Sequence, residues 1–381
     1  MSITKQIPPT HPIFVSAEDE EIATSGTCGE NLTWNFEEST GTLTISGTGV
    51  MENYSYLEPS WCNLNQVIKK IIIEDGVTTI GDNAFQGCTA LESIVIPDGV
   101  ITIGNGAFFD CESLVSVKIS NCVTTIGDDA FLCCKSLMSV TIPDSVTTIG
   151  AYAFFECMLE SIEISDNVTT IGENAFTCQM NISENNPNYS SQDGILFNKE
   201  KSELIYFPNF DNITEYTIPQ GVTSIARQAF EECYSLKAII IPDSVTTIGE
   251  YAFFECTALE SIVIPNSVTT IERLAFYNCE SLTSVTIPDS VIKIGNGAFY
   301  DCEALTSIII ENSECEIDDS EYTISDTATI YGYDNSTAQA YAKNYDRKFV
   351  SLLLIFSAEY GAGNVSNFEE FMEKYQNFAT S

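Results

Sequence analysis

Histidine is almost absent from this 381-residue chain, whose one copy, His11, lies among Pro8, Pro9 and Pro12. Because imidazole is a frequent general base and zinc ligand, its scarcity removes most His-based catalysis and His-containing zinc sites. Basic residues are scarce as well: 15 Lys and Arg stand against 54 Asp and Glu, which gives a formal net charge of −39. Phosphate recognition needs clustered Lys and Arg. The composition therefore excludes nucleic acid as an expected partner and disfavours an enzyme.

Long apolar runs are also missing. A membrane-spanning helix needs about 20 apolar residues in succession, and the longest apolar stretch, residues 349–356, is interrupted by Ser351. The sequence therefore predicts no membrane span. Hydrophobic residues nevertheless make up 44% of the chain and charged residues 18%, and this balance is typical of a folded protein rather than a disordered one.

What the chain does contain is a repeat of about 23 residues. A Val-Thr-Thr-Ile-Gly-like motif recurs nine times in steps of 23, apart from one step of 22 and one of 54. An Ala-Phe pair follows each valine at a fixed offset, and a cysteine follows eight of the nine phenylalanines after three residues. The valines are Val77, Val100, Val123, Val146, Val168, Val222, Val245, Val268 and Val291. A unit this short buries its apolar face only against neighbouring copies, so the repeat predicts a solenoid.

Within one unit the apolar spacing changes. Ile262 and Ile264 alternate as in a strand, and Pro265 ends that strand because it lacks the N–H that would continue a ladder. The Ala275-Phe276 pair and Cys279 have the i, i+3 spacing of a single α-helical or 3₁₀ turn. The predicted fold is therefore an α/β repeat solenoid, with one β-strand and one short helical turn in each coil of about 23 residues.

Glycine follows the Ile of the motif in seven of the nine copies. Such a column indicates either a positive φ or a close approach of two backbones. Ala226 and Glu272 occupy the other two copies, which indicates either local strain or a turn that does not need glycine.

The period breaks between Phe176 and Val222, where apolar runs at residues 195–197 and 204–207 flank a charged turn and predict a hairpin. The predicted organisation is a leader at 1–26, a β cap at 27–67, a solenoid at 68–312 with a hairpin insertion at 179–215, a C-terminal cap at 313–351 and a tail at 352–381. In the tail, the spacing of Phe368, Phe371, Met372 and Tyr375 predicts an amphipathic helix. That helix either docks on the last coil or mediates partner binding or self-association.

The pattern LESIVIPDSVTTIGxxAFxxC is similar to the BspA-type leucine-rich repeats of bacterial and protist surface proteins, and the likeness covers most of the chain. One column departs from the common leucine-rich pattern, because Gly99, Cys122, Ser145 and Asn167 stand where Asn or Cys is usual. The resemblance implies a curved, right-handed, capped solenoid that binds other proteins at a microbial surface, as adhesins do. It implies no reaction and no cofactor.

On this reading the expected partner is a protein, such as a host or extracellular-matrix protein. Val15-Ser16-Ala17 resembles the small-residue end of a signal peptide, so we expect a cell-surface or secreted protein whose signal peptide is absent or truncated. Two alternatives stay open. A cytoplasmic interaction scaffold is favoured by the missing signal peptide and by the many cysteines expected to be reduced. A structural surface protein would self-assemble through its tail or its open edges.

Nine of the fourteen cysteines share one column of the repeat, which predicts buried thiols that pack as small hydrophobic side chains. No CxxC pair occurs to indicate zinc. Cys28 and Cys62 in the cap are open to pairing, because connectivity does not follow from sequence. We predict no catalytic residue and no metal site.

Two sets of residues are candidates for ligand binding. Lys118 and Glu163 lie at strand positions that point away from the core. A second aromatic column directly follows the Ala-Phe pair and comprises Phe109, Phe155, Phe254, Tyr277 and Tyr300. These aromatic side chains either stack between coils or form an exposed binding stripe.

Overall fold

A computed structural model describes residues 23–55, 58–209 and 212–354. The chain forms two compact units, which we call the N-terminal unit (described residues up to 199) and the C-terminal unit (described residues from 200). The predicted leader up to residue 22 and the predicted tail helix at 368–375 lie outside the described residues.

The N-terminal unit opens with a three-stranded antiparallel sheet. Its strands are Ser25–Gly29, Leu32–Glu37 and Thr42–Gly47, and the third pairs in parallel with Lys70–Ile73. A 3₁₀ helix, Cys62–Leu64, follows Trp61, which is fully buried and donates its indole N–H to the carbonyl of Ala84 at 2.8 Å. The cap thus passes from antiparallel pairing to parallel stacking of coils.

Each coil of the N-terminal unit contributes two short strands rather than the predicted one. We call the Ser-Ile-x segments the first row and the Thr-Ile segments the second row. The first row comprises Lys70–Ile73, Ser93–Val95, Ser116–Lys118, Ser139–Val140, Ser161–Ile164 and Gln179–Ile182. The second row comprises Gly49–Val50, Val77–Ile80, Thr102–Ile103, Thr125–Ile126, Thr148–Ile149 and Thr170–Ile171, and it forms one parallel sheet.

The C-terminal unit has the same two rows. Its first row comprises Glu215–Thr217, Ala238–Ile240, Ser261–Val263, Ser284–Ile287, Ser307–Ile310, Thr329–Gly332 and Phe349–Ser351. Its second row comprises Glu203–Tyr206, Ser224–Ile225, Thr247–Ile248, Thr270–Ile271, Lys293–Ile294 and Glu316–Ile317. The first row consists of two sheets, because Ser261–Val263 and Ser284–Ile287 are not joined in one ladder.

One α-helix, Thr337–Asn344, lies in the segment predicted as the C-terminal cap. Ser336 is its N-cap residue and accepts a hydrogen bond from the Gln339 backbone N–H at 3.1 Å, while the Gln339 side chain accepts from the Asn335 N–H at 2.8 Å. This reciprocal pattern satisfies backbone donors that have no partner within a helix.

Both apolar runs of the predicted hairpin insertion form strands, Ile195–Asn198 and Glu203–Tyr206. The first pairs antiparallel with Tyr189–Gln192 across Asp193-Gly194, where φ is 54° and 81°. Two positive φ values are typical of the type I′ turn that Asp-Gly favours. The second strand pairs in parallel with Ser224–Ile225.

The predicted helical turn around each Ala-Phe pair is wrong for the described coils. These segments, which we call Phe turns, are successive β-turns: Ala84 N–H bonds to Gly81 O, and Cys88 N–H to Phe85 O. The amide between them, that of Phe85, donates to Ala107 O of the next coil.

Two residues with positive φ flank the Ala84-Phe85 pair: φ is 54° at Asn83 and 69° at Gly87. These left-handed residues prevent a helix from continuing, and the molecule is mostly strand and turn.

A column of stacked aromatic rings fills the core of each unit. Ring centroids lie 5.1–5.9 Å apart in the N-terminal unit and 4.9–5.2 Å apart in the C-terminal unit. The N-terminal column is Trp61, Phe85, Phe108, Phe131, Phe154 and Phe176; the C-terminal column is Phe207, Phe230, Phe253, Phe276 and Phe299. All are buried, so they join the coils in dispersion and offset-stacking contact.

The nine column cysteines are buried, as predicted. They also donate hydrogen bonds, since the Cys111 thiol reaches the Phe85 carbonyl at 3.3 Å and the Cys256 thiol reaches the Phe230 carbonyl at 3.0 Å. Burial raises the pKa of Cys178 and of Cys302 to about 12, so these thiols stay protonated at neutral pH. All fourteen cysteines are free thiols, Cys28 and Cys62 included.

The glycine column reflects close backbone approach rather than a positive φ. A Cβ on Gly81 would lie 1.8 Å from the Glu52 carbonyl oxygen, and one on Gly172 would lie 2.2 Å from the Ala151 nitrogen. Real side chains do not tolerate such distances, so most copies keep glycine.

Candidate binding surface

The first row carries the outward side chains that the alternation predicts. Central residues such as Ile94 and Ile262 are buried, and the residue after each points outward. This outer column is Val95, Lys118, Thr141 and Glu163 in the N-terminal unit and Thr217, Ile240, Val263, Thr286 and Ile309 in the C-terminal unit. All are exposed except Thr286, which is half-buried, and Ile309, which is buried although the alternation predicts that it points outward.

Lys118 and Glu163, the two charged candidates, are both exposed in this outer column and are separated by the coil that carries Thr141. Glu163 accepts a hydrogen bond from the Asn181 side chain at 2.9 Å. The structure therefore places these candidates on one face without bringing them together into a single site.

The aromatic candidates of the N-terminal unit are spread out. Phe109 and Phe155 are both half-buried, and the coil between them carries Leu132 at the equivalent position. Phe155 makes an edge contact with Tyr152 at 5.5 Å between ring centroids. This unit therefore offers two separate aromatic patches.

The aromatic candidates of the C-terminal unit form one cluster. Tyr251, Phe254 and Tyr277 are buried together, with Leu274 and Tyr300 packed against them. The Phe254 and Tyr277 rings stack at 4.8 Å and are only 4% and 5% exposed. These two side chains stack between coils, so they offer little surface to a partner, whereas Tyr300 is half-buried.

A hydrogen bond at its edge holds this aromatic cluster in place. The Tyr277 hydroxyl donates to the Asp301 carboxylate at 3.1 Å, and burial together with this bond raises the pKa of Tyr277 far above its usual value. The phenol therefore remains a hydrogen-bond donor over the physiological pH range.

An Arg-Glu-Arg network, which we call the ion ladder, lies beside the cluster. Arg227 and Arg273 bond to the two carboxylate oxygens of Glu250 at 2.8 and 2.9 Å. Their guanidinium carbons lie 5.2 and 5.3 Å from the centre of the Tyr251 ring, within cation–π range. Sequence reasoning missed this network, although both arginines directly follow Ala226 and Glu272, the two breaks in the glycine column.

In the N-terminal unit the equivalent positions form an Asx ladder of Asn53, Asp82, Asn105 and Asp128. Each side-chain oxygen accepts the backbone N–H one coil further on, at 2.7–2.9 Å. This ladder joins coils through side chain-to-backbone bonds and presents acceptors that are already occupied.

The described residues hold no cluster of potential metal ligands and no long apolar helix. No three His, Cys, Asp or Glu side chains within 23–55, 58–209 and 212–354 are grouped as metal ligands. No helix in that part of the chain is long and apolar enough to cross a bilayer. The arrangement supplies exposed side chains on short strands, many of which are bonded to a strand of the neighbouring coil.

Comparison with known proteins points to one family. The profile of the BspA type leucine rich repeat region matches residues 60–183 and 204–329 in six copies. No curated protein sequence matches the chain.

Solved structures of bacterial leucine-rich repeat proteins are also similar to this chain. A leucine-rich repeat protein from Eubacterium ventriosum is 29% identical, with a TM-score of 0.68, 77% of this chain covered and 80% of that one. A leucine rich cell surface protein from Faecalibacterium prausnitzii is also 29% identical, with a TM-score of 0.60 and 84% and 97% covered. The pneumococcal vaccine antigen PcpA shares the fold at 20% identity, with a TM-score of 0.58 and 85% and 98% covered. With the family profile matched over most of its length, this chain belongs to the BspA-type leucine-rich repeat family.

Proposed function

We propose that this protein is a non-enzymatic scaffold that binds another protein along its first strand row, at the surface of a bacterial cell or after secretion. The observation that carries the proposal is a contrast between the two sides of one strand. Inward positions repeat Ile or Val from coil to coil, whereas the outer column changes from Val95 to Lys118, Thr141 and Glu163. A uniform interior with a varied exterior is what a recognition surface on a repeat scaffold requires.

The rigidity of the rows favours binding. The outer side chains sit on strands bonded to neighbouring coils, for example Ser93–Val95 to Ser116–Lys118. A preordered surface loses less conformational entropy on association than a loop does. The buried, protonated column thiols and the scarcity of histidine support a role without catalysis.

The similarity to a cell-surface protein of Faecalibacterium prausnitzii favours an external location. Protease treatment of intact source cells, with mass spectrometry of the tryptic peptide 202–227, tests this location. Release from unbroken cells is the expected result, and protection until lysis would favour the cytoplasmic scaffold instead.

Binding along the first row is tested with a matched pair of substitutions in one coil. Thr141 and Thr147 are both exposed, the first on the outer column and the second beside the second row. Host extracellular and matrix proteins are screened for saturable binding to the immobilised chain. Thr141→Arg is then expected to weaken the binding about tenfold, while Thr147→Arg leaves it unchanged. Equal effects of the two variants, or no saturable binder, would overturn the proposal.

A further inference from the structure

The first row of the C-terminal unit is interrupted at one point, between Ser261–Val263 and Ser284–Ile287. A pocket of about 220 Å³ lies at this interruption and is lined by residues from both strands, from the turns that follow them and from the turn after Ala238–Ile240. It is smaller than the roughly 300–1,000 Å³ of pockets that enclose drug-sized ligands. A pocket of this size suits a single side chain rather than a cofactor.

One part of the pocket wall is apolar. Val263, Pro265 and Pro288 line it, and Val263 is 59% exposed although it is a hydrophobic residue on a strand. An aliphatic chain laid against these groups would remove their apolar surface from water. This part of the wall therefore fits a straight hydrocarbon stem.

Four polar residues, Asp243, Asn266, Ser284 and Thr286, line the same pocket, and two of them offer an acceptor to an entering cation. Asp243 is an exposed carboxylate on the turn after Ala238–Ile240. The hydroxyl oxygen of Thr286 is buried and has no hydrogen-bond partner among the described residues. A buried hydroxyl without a partner is unfavourable, and both oxygens can accept a hydrogen bond from a cation.

We propose that this pocket receives a basic side chain, with lysine as the simplest case, from the protein partner of the first row. The inference rests on the proposed function and specifies one contact within it. Lysine combines an aliphatic stem with a terminal donor of three hydrogen bonds, which matches an apolar part of the wall beside two acceptors. A chain of net charge −39 also attracts basic partners.

The test uses small probes in place of an unidentified partner. Nα-acetyl-lysine amide and Nα-acetyl-norleucine amide share a four-carbon stem, but only the first carries an ammonium group. Methyl resonances of Val263 and Thr286 are followed by NMR during titration of the full chain. The lysine amide is expected to give saturable shifts at both methyl groups and to bind at least about threefold more tightly than the norleucine amide. Equal binding of the two probes would overturn the role of the cation.

Matched variants separate the pocket from general attraction to an acidic protein. Asp243 and Asp144 occupy the same turn position in Pro-Asp-Ser-Val segments of the two units. Asp243→Asn is expected to weaken binding of the lysine amide about threefold, whereas Asp144→Asn does not. Thr286→Val keeps the side-chain shape and should also weaken it. Equal loss in Asp243→Asn and Asp144→Asn, or shifts spread over all acidic turns, would overturn the assignment.

The two proposals fail separately. If a protein that the chain captures is bound equally well by Asp243→Asn, the pocket assignment falls and the scaffold function stands. If the lysine amide binds at Val263 but no protein binds the first row, the scaffold function falls instead.

Discussion

The two units place different chemistry at the same position of the coil, directly after the glycine column. In the N-terminal unit Asp82, Asn105 and Asp128 bond to the backbone of the next coil. In the C-terminal unit Arg227, Glu250 and Arg273 bond to one another. Both bonding patterns fit the same coil backbone, because the stacked rings and buried thiols of the interior set the spacing between coils.

The difference extends to the aromatic column. Where Leu132 separates Phe109 from Phe155, each of these two residues stays half-buried. Where Phe254 and Tyr277 are neighbours, they bury each other. Coils that are equivalent inside therefore become distinct outside through the choice of two or three side chains.

The largest expected effect tests the claim that the two interiors are equivalent. Phe131→Ala and Phe276→Ala each remove a fully buried ring that stacks on two neighbours at 5.1–5.2 Å. Each should lower the free energy of unfolding by about 3–5 kcal/mol, as measured by urea denaturation. A cost below about 1 kcal/mol in either unit would show that its ring column does not hold the coils.

A loss of stability of intermediate size tests the contrast between the outer aromatic residues of the two units. Phe254→Ala should cost about 3 kcal/mol, because the ring is packed between Tyr251 and Tyr277. Phe109→Ala should cost about 1 kcal/mol, because its ring is half-buried. Melting temperatures of the two variants give the comparison. A larger fall for Phe109→Ala would contradict the burial pattern.

The smallest expected effect is the salt dependence of stability, which distinguishes the Asx ladder from the ion ladder. Asn105→Ala removes an acceptor for the Asp128 N–H and should cost about 1 kcal/mol at any ionic strength. Glu250→Gln removes the charge shared by two half-exposed arginines and should cost at most about 1 kcal/mol at low salt. That cost should largely disappear in 1 M NaCl, where charges are screened within about 3 Å. A salt-dependent Asn105→Ala would contradict the distinction.

The sequence predicts the interior of this fold more completely than its exterior. The stacked phenylalanines, the buried thiols and the first row follow from apolar positions that repeat every 23 residues. The second row was missed because strands such as Thr102–Ile103 have two residues, too few to show alternation. The i, i+3 spacing of the Phe turns predicts a helical turn because this spacing is common to a helical turn and to consecutive β-turns.

The sign of φ decides between those turn types. Asn83 and Gly106 favour left-handed backbone, but Tyr251 and Leu274 at equivalent positions have φ of 58° and 56° and give no such signal. For the candidate site, the accessibility of Phe254 depends on Tyr277, 23 residues away, so it is set by the neighbouring coil rather than by its own segment.

The ring columns also have a consequence for how the chain folds. Each ring contacts the ring one repeat away, as Phe108 contacts Phe131, so successive coils close loops of nearly the same length. The entropy of loop closure is then nearly equal for each addition, and a nucleus formed at any coil can grow in either direction. In the N-terminal unit such growth reaches Trp61, whose indole stacks on Phe85 and bonds to Ala84, where it joins the antiparallel cap.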